Sequence, residues 1–153
     1  MRSKTANWFL CKIRYEKTLE DGLQKRVTEQ YVVDALSFTE AEARIIEEMS
    51  SYINGEFEVW EIDRAVFKEI FFSDDDMADK WYKSKLQFIA IDENTGKEKK
   101  TNVYYLVQGS SLENARRNID EVMGGTMIDY VISAVSETTI MDVFEYATAK
   151  QNL

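Results

Sequence analysis

Two short stretches set an aromatic ring beside cations: Trp8 with Lys12 and Arg14, and Trp81 with Lys83 and Lys85. On an exposed sheet face, such a set stacks the bases of a single strand and tracks its phosphates. Lys25, Arg26, Lys97, Lys99 and Lys100 fall on the adjoining hairpin arms and would widen the patch. The competing expectation is that Trp8 and Trp81 pack inside and the lysines guard strand edges. A second set, Trp60, Phe67, Phe71 and Phe72, is more aromatic surface than one thin core hides, and is expected to form a protein-interaction surface.

The residues that are missing exclude more than these suggest. The chain of 153 residues has no histidine and one cysteine, Cys11. Imidazole bases, Ser-His-Asp and Cys-His nucleophiles, intrachain disulfides and multi-cysteine metal sites are therefore ruled out. No phosphate-binding glycine loop and no nucleophile elbow occurs. A carboxylate-dependent enzyme is the remaining catalytic alternative, but no spacing marks a pair of acids, and the chain is read as non-enzymatic. The run Asp74-Asp75-Asp76 invites a calcium reading. Ala78 stands where the fifth ligand of an EF-hand loop should be, and no glycine follows it. No metal and no cofactor is expected. A net charge of −9 disfavours a non-specific grip on nucleic acid unless lysines segregate to one face. No apolar run approaches the roughly 20 residues of a membrane span. No signal-peptide core is visible, so a cytoplasmic protein is expected.

The elements that must position these residues repeat. Asn7–Lys17 alternates as a strand, with Phe9, Cys11, Ile13 and Tyr15 on one face and Trp8, Leu10, Lys12 and Arg14 on the other. Gly22 marks a turn and Gln24–Ala35 returns. Ser37 with Glu40, or Thr39 with Glu42, then caps a helix whose stripe is Phe38, Ala41, Ile45, Met49 and Tyr52. Asn54-Gly55 stops it. Residues 56–72 are rich in strand formers and too long for one strand, so a bend near Arg64-Ala65 is expected. Tyr31, Val33, Ser37, Ala41, Ile45, Glu47 and Met49 recur at one constant spacing as Tyr105, Val107, Ser111, Ala115, Ile119, Glu121 and Met123. The second helix, capped by Ser110 or Ser111, has Leu112, Ala115, Ile119 and Met123 on its stripe.

The expected fold is therefore α+β: a tandem duplication of a β-β-α-β(β) unit, mostly antiparallel, with one helix per repeat and a pseudo-twofold relation. The repeats span 7–72 and 80–146, with an acidic linker at 73–79 and a fraying tail at 147–153. Within each repeat the third strand is expected beside the first, in the order 2-1-3. Whether the repeats share one sheet stays open.

Trp8-Phe-x-Cys-Lys12, the segment from Tyr31 to Ala43, Gly55-Glu-Phe-Glu-Val59, Glu69-Ile-Phe-Phe72 and Ser136 to Phe144 together resemble an uncharacterised domain-of-unknown-function family. The resemblance runs from Trp8 to Tyr146 and implies a setting in gut anaerobic bacteria and their phages or mobile elements. It carries over no functional residue. The functional expectation is a binding or interaction protein of unknown partner, either a protein or single-stranded nucleic acid. No membrane is expected, and a homodimer is one of the outcomes.

Overall fold

The computed structural model describes residues 1–146. The tail expected to fray, 147–153, lies outside them. The fold is α+β, with two helices and nine strands among the described residues. In order these are β1 (Arg2–Thr5), β2 (Trp8–Thr18), β3 (Gln24–Asp34), α1 (Phe38–Tyr52), β4 (Phe57–Arg64), β5 (Glu69–Phe72), β6 (Lys80–Ile91), β7 (Glu98–Gly109), α2 (Leu112–Gly124), β8 (Tyr130–Glu137) and β9 (Ile140–Phe144). The bend near Arg64-Ala65 separates β4 from β5.

The chain divides into two compact units that are not its consecutive halves. One comprises Met1–Thr5 with Val66–Thr138; the other comprises Ala6–Ala65 with the segment from Thr139 onward. Each unit has its own sheet. The first has the order β1-β5-β7-β6-β8 and the second β4-β2-β3-β9. The third long strand lies antiparallel beside the first in both, as β4 on β2 and β8 on β6.

The short strands were not expected where they are. β5 follows β4 in sequence but pairs parallel with β7, setting Ile70 opposite Leu106 and Phe71 opposite Val107. β9 follows β8 but pairs parallel with β3, setting Val32 opposite Val143 and Val33 opposite Phe144. Each short strand thus completes the sheet built by the other stretch of chain. The packing is matched as well: Phe71 stacks on Tyr105 at 4.8 Å and Phe144 on Tyr31 at 5.6 Å. β1, which the alternation in the sequence does not announce, pairs antiparallel with β5.

Each helix covers one face of its sheet. Ser37, in extended backbone, accepts a hydrogen bond from the Glu40 N–H at 3.1 Å, and Ser111 accepts one from Asn114 at 3.0 Å. These satisfy donors that a helix start leaves orphaned. Ala41, Ile45 and Met49 are buried with Phe9, Cys11, Ile13 and Val33. Ala115, Ile119 and Met123 are buried with Tyr82, Leu86, Val103 and Val107. The expected stripes are one turn too long. Phe38, Tyr52 and Leu112, in the terminal turns of the helices, are exposed. Gly22 and Gly96 take positive φ, 84° and 70°, at the two hairpin turns, where a side chain would be strained.

A polar residue at the end of each second strand holds the chain just beyond the exchanged strand. In one unit the Gln108 side-chain oxygen accepts from the Ser73 N–H at 2.8 Å, its amide donates to the Ala78 carbonyl at 2.9 Å, and Asn118 donates to the Gln108 carbonyl at 2.9 Å. In the other, Asp34 accepts from the Tyr146 N–H. Arg44 lies 3.5 Å from Asp34 and donates to the Phe144 carbonyl at 3.1 Å. The first clamp is neutral; the second is a buried ion pair. Removing one member of a buried pair leaves a charge uncompensated, at about 3–5 kcal/mol. Removing a neutral donor costs about 1–3 kcal/mol. Arg44→Ala is therefore expected to lose more stability in urea unfolding than Asn118→Ala. Equal losses would contradict the assignment of Arg44 as the charged half of the clamp.

Candidate functional site

Trp8 and Trp81 are each 3% exposed. Their strand faces are as the alternation gives them, but the faces are buried there, and neither ring offers a surface for a base. Trp81 meets Phe72 edge-on at 5.6 Å. The six-residue stacking platform is therefore not assembled. Phe67, Phe71 and Phe72 are also buried, which removes them as an interaction surface and assigns them to the interior. Trp60 is the exception, at 53% exposed.

The register explains Trp60. Lys12 opposes Glu61 and Ile13 opposes Val59, so Trp60 is the extra residue of a β-bulge on β4. A bulge re-aims a side chain out of the alternating pattern. The Arg14 guanidinium lies over the indole, 3.4 Å from its centroid. Other cations of this face are taken up by acids: Lys12 by Glu61 at 3.0 Å and Arg26 by Glu58 at 2.7 Å. The Lys12 ammonium holds the Glu61 carboxyl below its ordinary range, and the neighbouring Asp63, hydrogen-bonded to Glu61, is raised.

β4 is an edge strand, and α1 starts beside it. Between them lies an open groove of about 350 Å³ walled by Phe38, Thr39 and Glu42 from the helix and by Val59, Trp60, Glu61 and Ile62 from the strand. Phe38 is exposed into it and meets Phe9 edge-on at 5.1 Å. The other unit has a groove at the matched place, about 440 Å³, between the start of α2 and edge strand β8. There Leu112 replaces Phe38, Glu113 replaces Thr39 and Arg116 replaces Glu42. The bulge falls at Ser133, between Ala134 opposite Lys85 and Ile132 opposite Leu86. β4 carries Glu58, Glu61, Asp63 and Arg64, whereas the charge on β8 is Glu137 at its end. An apolar-floored groove beside unpaired backbone can take an extended segment as an added strand.

The lysines expected on the second set have another neighbour. Lys83, Lys85 and Lys100 share one face of β6 and β7 with half-buried Tyr104, since Lys85 opposes Tyr104 and Ile89 opposes Lys100. The Lys83 ammonium is 5.2 Å from the Tyr104 centroid. Among the described residues none of these three lysines has a carboxylate at ion-pair distance.

Glu29 is a residue the sequence does not single out. It opposes Ile13 on the helix-facing side and accepts hydrogen bonds from Tyr15 at 2.7 Å and Tyr31 at 3.1 Å. Burial, then Glu29, push the Tyr15 hydroxyl up to about 12, and Tyr31 rises further for the same reasons. Burial likewise raises the Cys11 thiol to about 12. Raised values keep these groups protonated and poor as bases or nucleophiles.

The architecture defines a two-unit α+β protein with exchanged short strands and a groove along one edge of each sheet. The chain belongs to the family described as Domain of unknown function (DUF4494), which matches residues 7–146. No curated protein and no solved structure matches the chain. No helix among the described residues is long and apolar enough to cross a membrane.

The tyrosines give a pH prediction. Their folded values lie above the unfolded 10.0, so the unfolded chain ionises first. Stability is then complete below pH 10 and falls as pH rises toward 12. Absorbance titration at 295 nm should show Tyr15 ionising near pH 12. Glu29→Gln should lower that midpoint in part, leaving the share due to burial. A Glu29→Gln titration identical to wild type would contradict the Tyr15–Glu29 hydrogen bond.

Proposed function

We propose that the protein is a non-enzymatic binding module that holds a protein segment in extended form along its open strand edges. The observation that carries this reading is the open β4 edge, flanked on one side by the groove against α1 and bearing the exposed, bulged Trp60. Exposed aromatics are common anchors of protein partners, and an edge strand supplies backbone hydrogen bonds to any extended chain. A cytoplasmic location, an origin in phages or mobile elements of gut anaerobes, and an internal doubling as the source of the matched units belong to the same proposal.

A second reading, single-stranded nucleic acid, rests on the uncompensated Lys83, Lys85 and Lys100 around Tyr104. It does not use Trp8, Lys12, Arg14 or Trp81: the two tryptophans are buried, Lys12 is paired, and Arg14 is stacked.

Peptides selected against the chain from a random library, and a labelled oligothymidine, separate the two. Selected peptides should shift the emission of Trp60, the one exposed tryptophan, and lose at least about tenfold in affinity on Trp60→Ala, a difference of about 1.4 kcal/mol. Peptides that bind the Trp60→Ala chain equally well would overturn the first reading. Oligothymidine binding that Lys85→Glu abolishes and Trp60→Ala leaves intact would establish the second in its place.

A further inference from the structure

On the faces turned away from the helices, the two sheets share a register but not a charge balance. Across the β2–β4 ladder, Lys12 faces Glu61, Arg14 faces Glu58 and Leu10 faces Asp63. On the same rungs of the β6–β8 ladder, Lys85 faces Ala134, Gln87 faces Val131 and Lys83 faces Ser136. The third strand thus carries acids in one sheet and uncharged residues in the other. Cations remain in both. Lys12 and Arg26 are paired with Glu61 and Glu58, whereas Lys83, Lys85 and Lys100 have no carboxylate at ion-pair distance among the described residues.

The other charges of this unit do not fill the gap. Glu98, opposite Ile91, and Asp129, whose carbonyl accepts from the Ile89 N–H, lie at the far end of the lysine face. Glu137 stands opposite the core residue Tyr82, on the helix-facing side, and is paired with Lys80 at 3.3 Å. Glu113 and Arg116 wall the groove on that same side, one of each sign.

β8 is the open edge beside these lysines. Its Val131, Ala134 and Ser136 are exposed. A segment added along β8 would lie two strand spacings from β6, about 10 Å. The long stem of a lysine and that of an acidic side chain together cover that distance over Ala134 and Ser136, which are too small to block them. Side chains alternate along a strand, so every second residue of the segment falls on the lysine face. Single-stranded nucleic acid fits this face less well. Half-buried Tyr104 already has the Lys83 ammonium 5.2 Å from its centroid, where a base would stack. The net charge of −9 also opposes a long polyanion more than a short acidic segment.

We infer that the β8 edge takes an acidic protein segment as an added strand, with Asp or Glu at alternate positions set toward Lys83 and Lys85. The partner then supplies the carboxylates that Glu58, Glu61 and Asp63 supply in the other sheet. This inference rests on the reading of the open edges as binding surfaces and names the chemistry of the partner at one of them.

A labelled ten-residue peptide of alternating glutamate and threonine, capped at both ends, tests it by fluorescence anisotropy at low salt. The peptide is expected to bind, and its counterpart with lysine for glutamate is not. Lys83→Glu and Lys85→Glu, with folding checked by circular dichroism, should each weaken binding at least tenfold. Methylating every backbone nitrogen of the peptide removes its donors to β8 and should weaken binding as much, while Trp60→Ala should leave it unchanged. No binding, equal binding of the lysine peptide, or affinity that both charge reversals or the methylation leave intact would overturn the proposal. Oligothymidine that binds more tightly than the peptide and is released by Lys85→Glu would overturn it in favour of nucleic acid. If the glutamate peptide fails while library-selected peptides still move Trp60 emission, the acidic partner falls and the edge reading stands. If both kinds of peptide fail, both fall.

Discussion

The strand that completes each sheet comes from the far side of a bend in the chain, and the rest of the architecture is arranged around that fact. β3 and β7 are paired on one side by their hairpin partners and would otherwise present unpaired N–H and C=O groups on the other. Buried backbone groups left unpaired cost about as much as a lost hydrogen bond each. β9 and β5 supply the partners, in parallel and in equivalent registers. The side chains they bring, Ile70, Phe71, Val143 and Phe144, are buried. The Gln108 and Asp34 clamps then fix the chain where it leaves the exchanged strand. Neither 7–72 nor 80–146 completes a sheet from its own strands, so the compact units are not consecutive stretches of chain.

Much of the local structure was legible in the residues. Period-two alternation located β2, Gly22 the turn after it and Gln24–Ala35 the returning β3, and the serine caps located both helices. The order 2-1-3 followed from short connections. The exchange was not legible, because Glu69-Ile-Phe-Phe72 is too short a run to specify its neighbour, and either β3 or β7 would satisfy its apolar pattern. The helix stripes were overextended for a related reason. Periodicity states which residues share a face but not how deeply each is covered, so the stripes include the exposed Phe38, Tyr52 and Leu112.

The same limit shaped the reading of the candidate site. Alternation correctly put Trp8 and Trp81 on the face away from the helix, but it carries no information on whether that face meets water. Trp60 was visible as an aromatic; its outward aim depends on a bulge, and a bulge exists only in the register between two strands. Arg44 and Glu29 were invisible for the opposite reason, as charged residues on core faces that only a partner elsewhere in the fold explains. Where the two units differ in chemistry, they differ at these positions. Glu29 stands where the other unit has Val103, and Glu42 where it has Arg116. The helix core positions keep their type, with Ala41, Ile45 and Met49 matched by Ala115, Ile119 and Met123.

The exchange of β5 and β9 is tested most directly by cross-strand nuclear Overhauser effects in uniformly labelled, otherwise unaltered protein. Backbone cross-peaks are predicted between the strands carrying Val32 and Val143, and between those carrying Ile70 and Leu106. Cross-peaks joining Val32 to Ile70 and Leu106 to Val143 instead would mean that each half of the chain closes its own sheet, and would contradict the exchanged arrangement.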